Sequence, residues 1–221
     1  MKRNWIVLSL CICCTAFSFG CSQKETPETT DTPQVEQEAV SEETTNAPTA
    51  QQAVPQVEKL YQDAHAIYEQ IMLTGLECSY DDVIDMNGYT YCRVTDARFP
   101  DMPSFQSYLE QYFTKDFIAE DILSENDTRF VEGKGGGLYV LDANRGANIF
   151  YAGAVLQEPV VESENAISLT VQGYYTKDTP YDGTIFDTAP EDSSAYEIVD
   201  YTFRIVPEGN QWKFDSFALL N

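Results

Sequence analysis

The feature that most constrains this chain is a change of hydrophobic period partway along it. Before about residue 125 the apolar residues recur every three or four positions, and beyond it they alternate. Val57, Leu60, Tyr61, Ala64, Tyr68 and Ile71 share one stripe, which predicts an amphipathic helix from Gln56 to about Leu73, closed near Gly75. Ser104 and Thr114 each stand where an N-cap is needed. They predict two short helices, one carrying Phe105, Tyr108, Leu109 and Tyr112, the other Phe117, Ile118, Ile122 and Leu123. After Asn126, strands are expected over 129–132, 138–141, 148–151, 154–161, 167–175, 196–206 and 211–218. In the sixth, Val199, Tyr201, Phe203 and Ile205 alternate with Asp200, Thr202, Arg204 and Val206, the pattern of a half-buried antiparallel strand. One hairpin comes earlier, 82–85 and 89–95 about Asn87-Gly88. Helices followed by meandering strands predict an α+β domain, with N-terminal helices packed on the concave face of a curved antiparallel sheet.

The amino terminus reads differently. Met1-Lys2-Arg3 precedes an apolar run over 5–19 and then Gly20-Cys21. That run is shorter than the roughly 20 residues a membrane-crossing helix needs, and its basic, apolar, small-residue order is that of an export signal. Residues 1–20 are therefore expected to be a lipoprotein signal peptide, with Cys21 the lipidated residue. Residues 21–55 are Ser, Thr, Glu, Gln, Pro and Ala almost throughout, with no aromatic side chain, and are expected to form a disordered tether. A flexible coil of that length reaches roughly 30–35 Å. The expected architecture is one folded domain, 56–221, held outside the cell on a lipid anchor.

Charge excludes one large class of function. With 36 acids against 13 bases the chain carries −23, which repels a polyanion, so nucleic-acid binding is excluded. Lys2, Arg3, Lys24 and seven acids precede the domain, which leaves it 10 bases and 29 acids. Such a field speeds encounter with cationic partners, and serves solubility outside the cell equally well. Only Cys78 and Cys92 remain in the domain. An Asn87-Gly88 hairpin puts Cys92 opposite Val83, which argues against cross-strand pairing with Cys78; two separately buried thiols are the expectation, a disulfide the alternative.

The chemistry that is tempting does not hold together. His65 is the only histidine, without a neighbouring metal ligand or cysteine on its helix, and reads as a helix-surface or boundary residue. Asp85-Met86-Asn87-Gly88 resembles the middle of a calcium loop, but Val83 and Val94 occupy its first and twelfth ligand positions. Gly133-Lys134-Gly135-Gly136-Gly137 lacks the ending of a phosphate-binding loop and lies between two strands. With 29 acids in the domain, chance carboxylate pairs are unavoidable and none stands out. No catalytic residue, metal or cofactor is assigned, and the protein is expected not to be an enzyme.

One connection is out of proportion. Residues 176–195 join two strands where a hairpin usually needs two to five residues, and loops of this length are usually functional or disordered. The acids Asp178, Asp182, Asp187, Glu191 and Asp192 surround an apolar set of Tyr181, Ile185 and Phe186, a composition suited to entering a partner's cleft. A mobile hairpin tip without a task is the alternative.

Several segments together resemble the IseA-type inhibitors of bacterial cell-wall DL-endopeptidases. They are 89–99 (Tyr-Thr-Tyr-Cys-Arg-Val-Thr-Asp-Ala-Arg-Phe), Tyr108-Leu109 with Tyr112-Phe113-Thr114, Gly137-Leu138-Tyr139-Val140, and the closing Trp212-Lys213-Phe214-Asp215-Ser216-Phe217. The likeness covers about residues 57–221. It implies an IseA-like or cystatin-like cone of curved sheet and packed helices. It further implies a non-enzymatic protein with an acidic surface that obstructs the cleft of a peptidoglycan-cutting cysteine peptidase. Assigning the 178–192 loop to that contact is an inference from its composition. A ligand-binding or sensing domain, with a cone-shaped pocket for a wall fragment or small apolar molecule, is the alternative expectation, and a plain structural surface protein a third.

Overall fold

The structure is a computed structural model and describes residues 47–124, 128–143 and 146–220. Cys21, the signal peptide and most of the expected tether lie outside the described residues. The helical stripe forms as its spacing predicts: helix α1 spans Val57–Glu69 and continues through a π-helical turn, Gln70–Thr74, to Gly75. Its Val57, Tyr61, Ala64, Ile67, Tyr68 and Ile71 are buried. Helix α2, Met102–Leu109, is capped by Asp101 and not by Ser104: the Asp101 carboxylate accepts the Ser104 N–H at 2.8 Å. That carboxyl is held below its ordinary range by this side-chain and backbone bonding to Ser104. Thr114 caps the short helix α3, Lys115–Phe117, as expected, and a π-helical turn follows over Ile118–Ile122.

The strands divide into two sheets where the alternation alone suggests one. The first is four-stranded and antiparallel, built from β1 (Cys78–Met86), β2 (Tyr89–Val94), β3 (Phe130–Glu132) and β4 (Leu138–Leu141), in the order β1-β2-β4-β3. The second holds β5 (Tyr151–Leu156), β6 (Val160–Ser163), β7 (Ala166–Thr176), β8 (Tyr196–Glu208) and β9 (Gln211–Phe214). Its order is β5-β7-β8-β9, with β6 beside β5 on the same edge of β7. The strand expected over 154–161 is thus broken at 157–159, where Pro159 has no N–H to give the ladder. The strand expected over 148–151 is a turn up to Phe150: Asn148 accepts the Phe150 N–H on its side chain and the Tyr151 N–H on its carbonyl, an arrangement that competes with extended pairing. Helices packed against curved antiparallel sheets make this an α+β fold, as predicted.

An aromatic cluster joins the helices to the second sheet. Tyr61 stacks on Phe203 at 6.0 Å, and Phe217 lies 4.8 Å from Phe203, 4.9 Å from Phe214, 5.2 Å from Tyr68 and 5.5 Å from Phe113. A backbone bridge locks the helical region to β9: Thr114 N–H donates to the Phe214 carbonyl and Phe214 N–H to that of Tyr112. Phe105 on α2 meets Phe130 on β3 at 4.8 Å and carries the core to the first sheet. Burying rings of this size contributes roughly 1.5–3 kcal/mol each.

Two expectations need correction. Cys78 and Cys92 are joined by a disulfide with Cα atoms 5.5 Å apart. Cys92 does face Val83, but a bulge between Ser79 and Val83 shifts the register by three residues and brings Cys78 opposite Val94, beside Cys92. Tyr139 holds the bulge by donating its hydroxyl to Asp82 at 2.9 Å. The folded unit also begins before residue 56. Ala50–Ala53 is helical, Ala50 and Ala53 are buried, the Thr49 N–H donates to the Gln52 side chain, and the Trp212 indole N–H donates to the Pro48 carbonyl at 2.7 Å. A Thr49-x-x-Gln52 capping pattern is present in the sequence, inside a tract whose composition reads as unstructured.

Candidate functional site

The long connection between β7 and β8 starts and ends on a closed ladder, because Thr176 and Tyr196 are themselves paired. Its base is pinned by Lys177, whose ammonium donates to the Ser194 carbonyl at 2.6 Å, and by Ser194 N–H donating to the Asp192 carboxylate at 2.9 Å. The Ser194 hydrogen bonding holds the Asp192 carboxyl below its ordinary range.

The middle of the loop returns to the sheet and lies along the outer edge of β5. Tyr181 N–H donates to the Ile149 carbonyl at 2.8 Å, Phe186 N–H to that of Ala152 at 3.1 Å, and Ala154 N–H to that of Phe186 at 3.0 Å. Phe186 and Gly153 form a parallel bridge. This approach needs a glycine on the strand, since a Cβ at Gly153 would overlap the Phe186 carbonyl oxygen and stand 2.7 Å from its ring. Phe186 then packs edge-on against Tyr174 at 5.4 Å, Tyr196 at 5.6 Å and Tyr181 at 6.4 Å, on the sheet face opposite the main core. Tyr181 also donates its hydroxyl to the Thr184 carbonyl at 2.7 Å. The loop is a folded strap.

The residues singled out from sequence therefore separate into two groups. Asp178, Asp182, Asp187, Glu191 and Asp192 are exposed, and Ile185 is displayed at 54% exposure. Tyr181 and Phe186 are half-buried and hold the strap in place. Two exposed apolar residues near the strap escaped the sequence reading, Ile149 at 60% and Ile198 at 42%. Ile198 pairs with Tyr174 on the face where Phe186 packs. Its signal was available: Ile198 occupies the register of Asp200, Thr202 and Arg204, an apolar side chain on the polar face. The resulting surface is a small set of apolar side chains among exposed acids, suited to a partner that offers an apolar cleft with cations near it.

Elsewhere the tempting positions resolve into structure. His65 lies 5.7 Å from the Tyr61 ring and 3.9 Å from the Glu69 carboxylate; burial pushes its imidazole below the ordinary value, with Glu69 pulling the other way. The glycine run forms a 3₁₀ turn over Lys134–Gly136, with Gly135 and Gly136 at positive φ, and leads into β4. Among the described residues no group of three His, Cys, Asp or Glu side chains is placed to hold a metal ion, and no described helix is long and apolar enough to cross a membrane. Comparison with protein-family models and with curated proteins returned no match for this chain.

Proposed function

We propose that this protein is an extracellular, membrane-anchored lipoprotein that binds and inhibits a peptidoglycan DL-endopeptidase and so restrains cell-wall hydrolysis. The observation that carries this reading is the strap: an acidic loop with an exposed Ile185, fixed to a strand edge by backbone hydrogen bonds. A loop already ordered before contact loses little conformational entropy on binding, which is what a tight inhibitor requires. Its acids steer the encounter and Ile185 anchors it, beside the resemblance noted in the segments of β2, α2, β4 and β9. The test is digestion of purified peptidoglycan by a wall cysteine DL-endopeptidase with increasing amounts of this protein. Inhibition that weakens at least tenfold in Ile185→Ser supports the strap as the contact surface; equal inhibition by that variant removes the strap from the site. Failure of the native protein to slow any DL-endopeptidase overturns the function.

A further inference from the structure

The inner face of the second sheet continues past the hydrophobic core. Along β8 it passes from buried Ile205 and Phe203, through half-buried Tyr201 and Val199, to exposed Glu197. Here the face opens as a groove of about 410 Å³, floored by Phe150, Tyr175, Val199 and Tyr201. Asn148, Lys177 and Glu197 stand at its rim. The volume is within the range of small-molecule sites.

Gly173, which pairs with Val199 in mid-strand, explains how the floor is made. A Cβ at that position would stand 3.0 Å from the Tyr175 ring and 3.1 Å from that of Tyr201. The two rings lie over the bare backbone, and their hydroxyls meet at 2.9 Å. A mid-strand glycine costs roughly 0.5–1 kcal/mol, and what replaces the missing side chain is a pair of aromatic rings. In that hydroxyl pair one O–H donates to the other, which leaves one proton and lone pairs for a third group. Burial, and then the bond to Tyr201, raises the Tyr175 phenol well above its ordinary value, so its hydroxyl keeps its proton at neutral pH. Asn148 uses its side-chain oxygen on the Phe150 N–H and keeps its amide N–H groups for a ligand.

The chemistry of this lining selects a ligand. A pyranose ring has a face of C–H bonds with partial positive charge, which fits the negative face of an aromatic ring, and an equator of hydroxyls that both donate and accept. A wholly apolar ligand would cover the Asn148 amide N–H groups and the Glu197 carboxylate without giving them partners, at about 1–3 kcal/mol each. An anionic ligand meets the field of a domain with 29 acids against 10 bases. We propose that the groove binds a neutral pyranose oligosaccharide, set against Tyr175 and Tyr201 and hydrogen-bonded by Asn148, Lys177 and Glu197. This does not rest on the inhibitor reading, although Lys177 places the sugar at the root of the strap.

The experiment is saturation-transfer NMR and calorimetry on the full chain with chitotetraose and cellotetraose, both neutral β-linked pyranose chains, and with a free wall stem peptide as the third probe. Binding of either sugar below about 10 mM is the expected result. The double variant Tyr175→Phe, Tyr201→Phe keeps both rings and removes both partners of one hydrogen bond, so neither is orphaned and the melting temperature should stay within a few degrees. Sugar affinity in that variant should fall at least fivefold, as it should in Glu197→Gln. Absence of binding by both sugars, binding of the peptide alone, or unchanged sugar affinity in both variants would each overturn the assignment.

Discussion

Gly153→Ala tests the strap directly. The added Cβ would overlap the Phe186 carbonyl oxygen and sit 2.7–2.8 Å from the Phe186 ring, so either Phe186 or the strand must give way. β5 is held on its other side by the ladder to β7, whereas the strap has three backbone hydrogen bonds and its aromatic contacts. The strap therefore moves. Two hydrogen bonds are lost, Phe186 N–H to Ala152 and Ala154 N–H to Phe186, at a net ~0.5–1.5 kcal/mol each. Weakened packing of Phe186 on Tyr174 and Tyr196 adds about 0.5–1.5 kcal/mol. Partial relaxation returns some of this, and a net change of about 2 kcal/mol in strap docking is expected. At 1.4 kcal/mol per decade that is roughly a 30-fold rise in the population of the open strap. Native-state hydrogen exchange reads it as a roughly 30-fold acceleration at the Phe186 and Ala154 amides, with β7–β8 amides changed little because the global fold does not depend on the strap. Exchange at Phe186 and Ala154 equal to that of the native protein would show that the close approach of Gly153 is not what holds the strap.

Other outcomes follow from the same structure. The Cys78–Cys92 bridge closes a short loop with a sequence separation of 14, so reduction or Cys78→Ser, Cys92→Ser should lower urea-unfolding stability by about 3 kcal/mol. Alkylation of Cys78 and Cys92 themselves in the non-reduced, denatured protein would contradict the bridge. His65 has a folded pKa below its unfolded value, so the unfolded chain binds a proton first: stability is complete above about pH 6.5 and declines as the pH falls toward the folded value. As the only histidine, it should account for most of the slope between pH 7 and 5.5, and His65→Gln should flatten it; a retained slope would assign the titration to other groups.

What the sequence disclosed, and what it withheld, separates by the range of the interactions. The α1 stripe, the Asn87-Gly88 turn, with φ of 54° and 83°, and the Thr114 cap depend on neighbours within four residues, and each forms as the local pattern dictates. The disulfide depends on a bulge whose Asp82 is bonded by Tyr139, 57 residues away, and ideal hairpin register does not contain it. The early start of the folded unit depends on Trp212, 164 residues from Pro48, so a tract that reads as unstructured by composition becomes helical by contact. The loop's acids and Ile185 are exposed as composition suggested. The inward turn of Phe186 was hidden because its partner surface, Gly153 between Ala152 and Ala154, reads only as a small-residue interruption in a strand. In the groove, Gly173 gave a local sign without its meaning, which needs Tyr201 from the adjacent strand.

The position of the strap has a consequence for solubility. β5 ends its sheet, and its unpaired N–H and C=O groups would otherwise be a template on which a second molecule could add a strand. The segment proposed to meet a target thus also covers an edge on which the protein could polymerise with its own kind. Sequence drift that adapts the segment to a new target would be tolerated only while the shield stays shut, so the range of targets open to such a scaffold is limited by colloidal behaviour as well as by affinity.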